Sequence, residues 1–311
     1  MNRKNFQHLI NGGIGFFLIW LSLSACEQHK GAPSDTYNSG TIHISVDESF
    51  KPVMEEQIRV FESTYPKAHI IAEYKTEADC FKDLFTDTLN RMVIVTRGLI
   101  RDEDEYFMDT LKYYPAWDKM ANDAITIIVY SSSSDTLFTL DRLKDQLTGK
   151  INRDQKIVFD GLNATSTVRF VMDSILKGQK FDTSVVQAVS SSQEVIDYVS
   201  KTANAIGFVG ISWIGNPEDS AQVNMLKKVK IAYVSCVVCD EEPFVKPMQE
   251  SILTRRYPLV RGLYYILKEN YSGLGRGFVN FLNQERGQLI FKRAYLGTRM
   301  DFGVRKVKIN E

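Results

Sequence analysis

The chain has 311 residues, is 44% hydrophobic and carries 38 basic against 38 acidic side chains. Balanced charge gives no global field, which argues by charge alone against nucleic acid or acidic polymers as partners. Roughly 270 residues lie beyond the N-terminal segment, enough for two domains of ordinary size.

Arg3 and Lys4 precede the apolar stretch Ile14 to Leu23, which runs into Leu23-Ser24-Ala25-Cys26. The apolar core is about a dozen residues, short against the roughly 20 of a spanning helix, and small residues precede the cysteine, so residues 1–25 read as a secretory signal. The sequence Leu-Ser-Ala-Cys resembles the bacterial lipobox. That resemblance implies that Cys26 becomes the lipidated first residue of the mature protein and holds it to a membrane, the inner one by preference; the alternative is an ordinary signal with a coincidental cysteine. Residues 26–40 are polar and rich in Gly, Pro, Ser, Asp and Asn, a composition that buries no apolar area and behaves as a tether. Folding is expected from Thr41.

Strand-length apolar runs then alternate with helical patterns, which argues for α/β architecture with mostly parallel sheets covered by helices. Thr41 to Val46 reads as a strand followed by the N-cap residues Asp47, Glu48 and Ser49 and a helix to Tyr65-Pro66. His69 to Tyr74 is a second strand, Glu77 to Thr88 an amphipathic helix, and Met92 to Val95 a buried-type strand. Ala124 to Tyr130 is the most apolar strand of the mature chain and is broken by four serines at 131–134; it reads as a first crossing between lobes. A second set follows: strand 156–159, helix 167–176, strand 185–189, helix 195–199, strand 205–209 and strand 229–234. Tyr257-Pro258 introduces the run Leu259 to Leu267, read as the return crossing, and helices over 277–282 and 285–294 close the chain. The expected organisation is one lobe of 41–130 plus 257–311 and a second of 131–256. Ligands of such folds sit between the lobes, near the C-terminal strand ends.

Two strand-to-helix turns place small hydroxyl residues at that cleft. One is Asp47-Glu48-Ser49-Phe50-Lys51-Pro52; the other runs Gly161-Leu162-Asn163-Ala164-Thr165-Ser166-Thr167-Val168-Arg169. A helix start exposes unpaired N–H groups with partial positive charge, so neighbouring hydroxyls can complete the coordination of an oxyanion. Simple helix capping by Ser49 and by Thr165 or Ser166 is the alternative. In a third turn, Thr96-Arg97-Gly98-Leu99, the Arg97 fork can hold a tetrahedral anion at two points or pair with Asp102 or Glu103 on the surface. Arg169, in the first turn of its helix, is expected to face solvent or a carboxylate.

The order of these elements, together with Ser49-Phe50, Val95-Thr96-Arg97-Gly98-Leu99, Ala205-Ile206-Gly207-Phe208-Val209-Gly210, Tyr257-Pro258-Leu259-Val260-Arg261-Gly262-Leu263-Tyr264 and Gly287-Gln288-Leu289-Ile290, resembles the phosphate-binding proteins of bacterial phosphate ABC importers. The resemblance spans nearly the whole mature chain. It implies a two-lobed periplasmic-binding-protein fold of type II, a monomeric carrier without cofactor on the periplasmic side of the envelope, an ABC importer permease as partner, and phosphate as ligand. By position, it implies that Ser49 and the Phe50 amide touch phosphate, that Thr96 stands on a family Ser, and that Ala164, Thr165, Ser166 and Thr167 stand where the family has Gly-Ser-Gly-Thr. The tail motifs are implied to be scaffold.

Two positions depart from that pattern. Arg97 replaces the Asp of many members, whose carboxylate accepts a ligand proton and so rejects fully ionised sulfate. The family's Arg, four residues before its Ser, would fall on Gly161, so the cation is expected to have moved to Arg97. Lys75-Thr76-Glu77-Ala78 also replaces a Gly-Ser-Gly run. An enzyme is disfavoured, since the mature chain has only His29, His43 and His69, of which the last two sit in strands, and lacks a Walker loop, a dinucleotide fingerprint and zinc spacing. The rival is a sensor or envelope interaction module on the same fold. Cys236-Val237-Val238-Cys239 can close a small disulfide or join a redox or metal site, but lies in a β-rich run where a bond requires a turn. Cys80 reads as a buried apolar residue.

Overall fold

The computed structural model describes residues 35–151, 154–161, 164–240 and 244–302. Cys26, the signal segment and Leu162-Asn163 lie outside the described residues. No helix among the described residues is long and apolar enough to cross a membrane.

The first half of the chain is wound as strand and helix in alternation. Strand β1 (Gly40–Asp47) ends in a 3-10 turn at Glu48–Phe50 and helix α1 (Lys51–Thr64), which accepts Pro52 in its first turn because the missing N–H is one that turn cannot use. Strand β2 (Ala68–Lys75) leads to α2 (Glu77–Thr86), capped by the Thr76 hydroxyl, which accepts from Asp79 N. Strand β3 (Asn90–Val95) is followed by the short α3 (Arg101–Glu105) and a π turn to Thr110. In β3, Met92 and Ile94 join the main core while Val93 and Val95 face a second cluster with Cys80, Phe81 and Leu84. That is the period-2 alternation of a strand buried on both faces.

Strand β4 (Ala116–Tyr130) is 15 residues long, twice the apolar run that marks it in the sequence. Beyond it lie β5 (Leu137–Phe138), α4 (Leu140–Leu147), β6 (Lys156–Phe159), and α5 (Ser166–Val171), which continues as a π turn to Leu176. Next come β7 (Val186–Ala188), α6 (Ser192–Val199), β8 (Ala205–Gly210), α7 (Ser220–Met225), β9 (Val229–Ile231), β10 (Tyr233–Ser235), β11 (Phe244–Val245) and α8 (Gln249–Leu253). The chain returns through β12 (Val260–Leu267), α9 (Leu274–Asn283), α10 (Glu285–Arg293) and β13 (Gly297–Thr298).

Among the described residues the strands form a curled sheet in the order β2-β1-β3-β12-β4-β8-β6-β7, with β9 and β13 also on β4, and a separate three-stranded sheet in the order β11-β10-β5. Strands β1, β2 and β3 are parallel, as are β6, β7 and β8, while β4 and β12 run antiparallel to their neighbours. The long strand changes partner along its length: Ala116 to Ala124 pairs with β12, and Ile125 to Val129 pairs with β8. At the change, the fully buried Tyr257 donates its hydroxyl to Ile125 O at 2.8 Å. Gln288 similarly donates to Met120 O and Leu282 O, and Gln57 to Gly287 O, so the tail motifs pin helices to the sheet.

Several boundaries differ from the sequence reading. The chain is docked from Asp35, not Thr41: buried Asp35 accepts from Leu274 N and Tyr271 Oη and pairs with Arg91, capping α9. One cap residue in a polar tract leaves composition unchanged. The run 259–267 is not itself a crossing, since β12 pairs throughout with β3 and the first half of β4. The expected strand 229–234 divides at Ala232 into β9 and β10, which join different sheets. The turn required at 236–239 is present, and Cys236 and Cys239 are bonded. Cys80 is a buried free thiol, as its apolar neighbours predict.

Candidate anion site

The corner after β1 and the corner after β6 meet. Ser49 Oγ and Ser166 Oγ lie 3.3 Å apart, both fully buried, and Arg261 spans them, donating from one terminal nitrogen to Ser49 Oγ at 2.9 Å and from the other to Ser166 Oγ at 2.8 Å. The Arg261 Nε donates to Asp123 Oδ2 at 2.7 Å, and the two residues face each other across the β12–β4 pair. The guanidinium sits 5.0 Å from the centre of the Phe50 ring, within cation–π range. Gly210 closes the wall: a Cβ there would stand 3.2 Å from Ser49 O and 3.4 Å from Arg261.

A second ring surrounds this centre. Asp47 Oδ1 accepts from Ser49 N at 3.0 Å and Ser49 Oγ at 2.9 Å. Asp160, at the end of β6, accepts from Thr165 Oγ1 at 2.9 Å and Thr167 Oγ1 at 3.2 Å, while Thr165 Oγ1 caps α5 by accepting from Val168 N. Glu77 accepts from Thr96 N and Thr96 Oγ1 and forms a two-point pair with Arg169, which also donates to Thr96 Oγ1. Ala164 O accepts from Ala78 N at 3.3 Å. On the rim, the Glu48 carboxylate accepts from Ser192 N and from Ser192 Oγ at 2.7 Å.

Burial sets the charge states here. It pushes Asp47 up to about 6 against the opposing pull of Arg261, and Glu48 up to about 7 against the Ser192 hydroxyl. Burial also raises Asp123 and Asp160, offset in part by Arg261 and by the Thr165 hydroxyl respectively. At Glu77 burial acts in the same direction, but the Arg169 hydrogen bond and charge outweigh it and leave the carboxyl below its ordinary value.

Of the residues expected at the site, Ser49, Phe50 and Ser166 come together at its centre. Thr96, Ala164, Thr165 and Thr167 stand one hydrogen bond further out. Arg97 is not brought in: its guanidinium makes a two-point pair with Glu103 at 2.7 and 2.8 Å and stacks on Phe81 at 3.7 Å, the surface alternative the sequence already offered. The central cation is Arg261 instead. Gly161 cannot supply one, because its φ of 157° is strained for a side chain and a Cβ there would stand 2.8 Å from Thr165. Arg169 faces a carboxylate, as expected. The resemblance counts Arg261 with the scaffold and the sequence draws no attention to Asp123, yet Arg261 is a lone charge inside an apolar strand run, and buried charges are found paired. Asp47, Asp160 and Glu77 carried no such signal, since acids at strand ends read equally well as caps.

Chemically, the centre offers one fully buried guanidinium fork and two hydroxyls from opposite corners, a set of donors suited to a small oxyanion. Among the described residues no group of three or more His, Cys, Asp or Glu is placed to hold a metal ion. An oxygen accepting from both hydroxyls would hold them roughly 4–5 Å apart at ordinary hydrogen-bond lengths, so the corners must part slightly to admit one.

Comparison with known proteins bears on the same reading. A protein of Streptococcus pneumoniae named "Phosphate-binding protein PstS 2" is 27% identical over 108 residues, 35% of this chain and 30% of that protein, so the match spans under a third of the relative's length. A Clostridium perfringens protein, described as a phosphate ABC transporter substrate-binding protein and solved with bound phosphate, superposes with a TM-score of 0.69 at 22% identity, covering 84% of this chain and all of that one. An ABC-type phosphate transport receptor from Vibrio cholerae gives a TM-score of 0.59 at 15% identity over 83% of this chain and all of the other. At these identities the superpositions show the fold, the type II periplasmic-binding-protein fold. The family model described as "PBP superfamily domain" matches residues 31–286, most of the chain, and this protein belongs to that family.

Proposed function

We propose that this chain is an extracytoplasmic solute-binding protein that captures a small oxyanion, phosphate first, between two lobes and delivers it to the permease of an ABC importer. The observation that carries the reading is the bridge of Arg261 across Ser49 and Ser166, a buried cation joining hydroxyls from two corners that are 117 residues apart in the chain. The lobes are assigned to residues 35–124 with 257–311 and to 125–256, a boundary supported by the change of partner along β4 between Ala124 and Ile125. Ligand contacts are assigned to Ser49, the Phe50 amide, Ser166 and Arg261, with Thr96, Ala164, Thr165 and Thr167 lining the approach. Lipid on Cys26 holds the protein to the outer face of the inner membrane as a monomer.

One observation favours the sensor or interaction-module reading on the same fold. The turn that carries a Gly-Ser-Gly run in the phosphate-binding relatives holds Glu77 here, committed to Arg169 and Thr96. Isothermal titration of the purified chain with phosphate, sulfate, molybdate and tungstate separates the two readings. Saturable one-site binding of at least one anion supports capture, and its loss in the Ser49→Ala, Ser166→Ala double variant supports the assigned contacts, since hydrogen bonds to a charged ligand are worth roughly 1.5 to 3 kcal/mol each. Silence from all four anions supports the rival.

A further inference from the structure

Glu77 is held in a way that a carboxylate at a helix start ordinarily is not. It opens α2, where acidic side chains commonly face water, yet it is 4% exposed. Its Oε1 accepts from Thr96 N at 2.9 Å, from Thr96 Oγ1 and from a terminal nitrogen of Arg169 at 3.2 Å, and its Oε2 accepts from Arg169 Nε at 2.7 Å. The same terminal nitrogen donates to Thr96 Oγ1 at 2.5 Å, so the two holders are fixed to each other as well as to the carboxylate. A main-chain amide, a hydroxyl and a planar guanidinium fork around two oxygens is the coordination that suits a free carboxylate.

The holders come from opposite sides of the cleft. Thr96 follows β3 and Glu77 follows β2, both in the first lobe, whereas Arg169 belongs to α5 in the second. Ala78 N, next in the chain, donates across the same line to Ala164 O, and on the rim Ser192 N donates to Glu48. A second ion pair across the lobes, Arg293 with Glu218, leaves its side chains 65% and 66% exposed and so contributes little. The Glu77 side chain is 5% exposed, and Arg169, at 37%, keeps a path to water beside Asp173. Parting the lobes is therefore what returns the Glu77 carboxylate to solvent. Arg169 is the one full positive charge touching that carboxylate, which suits a singly charged anion better than a dianion.

We infer that Thr96 and Arg169 form a second anion subsite, built for a planar monocarboxylate and filled by Glu77 as a tethered ligand, so that the chain latches its own lobes. The inference rests on the two-lobe division in the proposed function and not on the capture of any tetrahedral anion. It also limits where such an anion sits: the Thr96–Arg169 half of the cleft is taken, and the half at Ser49, Ser166 and Arg261 is left for it. A turn of small residues at position 77 would leave the first half open as well. Glu77 thus decides both how large a ligand the cleft admits and how firmly the lobes stay together.

The test is residue-resolved amide hydrogen exchange of the full chain without added phosphate, in the unaltered protein, Glu77→Ala and Arg169→Met. Ser192 N is the reporter, because its acceptor lies in the other lobe and neither substitution touches it; the paired amides of β4 and β8 are the control for folding. Both variants are expected to speed exchange at Ser192 by about tenfold or more, since each loses hydrogen bonds between charged groups, and to leave β4 and β8 unchanged. Acetate, matched against sodium chloride, should restore the slow exchange in Glu77→Ala by refilling the subsite and should do nothing in Arg169→Met. Unchanged exchange at Ser192 in both variants, or exchange in Glu77→Ala that acetate does not slow, overturns the subsite. Faster exchange at β4 and β8 as well would make Glu77 a general support of the fold and overturns it too. A failure to bind tetrahedral anions in the titrations above bears on capture alone, because none enters this experiment.

Discussion

Arg261 and Asp123 show what single residues decide in this protein. Both are almost completely shielded from solvent, and their 2.7 Å contact makes each the condition for the other's burial. Removing one partner leaves an uncompensated buried charge, and that cost is larger than the net value of the pair. Asp123→Ala is therefore expected to lower stability by about 3–5 kcal/mol in urea unfolding, whereas Arg261→Met combined with Asp123→Leu should come much closer to the native value. The double variant should nevertheless bind no anion, which separates the pair's role in the site from its role in folding. The same pair marks how far the sequence is legible at this scale. The hydroxyl corner residues Ser49 and Ser166 are visible because capping chemistry and anion chemistry use the same residue types at strand-to-helix turns. The cation is not, because Arg97 and Arg261 stand at equally suggestive places, and only the contact of Arg97 with Glu103 and Phe81 removes it from contention.

Individual elements were readable wherever one force dominated. The parallel strands β1, β3, β6 and β8 stand out as apolar runs because both of their faces are covered. The first half of β4 does not, since Asp118, Lys119 and Asn122 interrupt the apolar pattern where the strand is held by its pairing with β12. Nor does the switch from α-helix to π turn at Met172, which hydrophobic period alone does not encode. Directly after β10, the Cys236–Cys239 bond closes a tight turn that leaves Val237 and Val238 exposed. A loop that short removes little freedom from the unfolded chain. Replacing both cysteines by serine should cost no more than about 2 kcal/mol in equilibrium unfolding and leave anion binding unchanged. A larger loss would mean that the turn organises the lobe around it.

At the scale of the whole molecule, the lobes are tied by groups whose protonation favours the folded form. Asp47 and Glu48 are raised from 3.8 and 4.5 in the free residues to about 6 and about 7. The folded chain thus binds these protons more tightly than the unfolded one, so their contribution is fully present below about pH 4 and is lost as pH rises through about 6 to 7. Glu77, held low by Arg169, acts oppositely and only below its ordinary range. The melting temperature is expected to fall between pH 5 and pH 8, and Glu48→Gln should flatten that fall; a melting temperature that rises across the interval would show that the carboxylates are better paired than their burial implies. Above all of these stands the claim that the two corners and Arg261 form one oxyanion site. Its most direct test is a crystal structure of the chain grown with phosphate. The account predicts a tetrahedral anion between Ser49 Oγ and Ser166 Oγ, bonded to the Arg261 guanidinium, with the two hydroxyls moved apart. An anion bound elsewhere, with the Ser49–Ser166 contact intact, would contradict it.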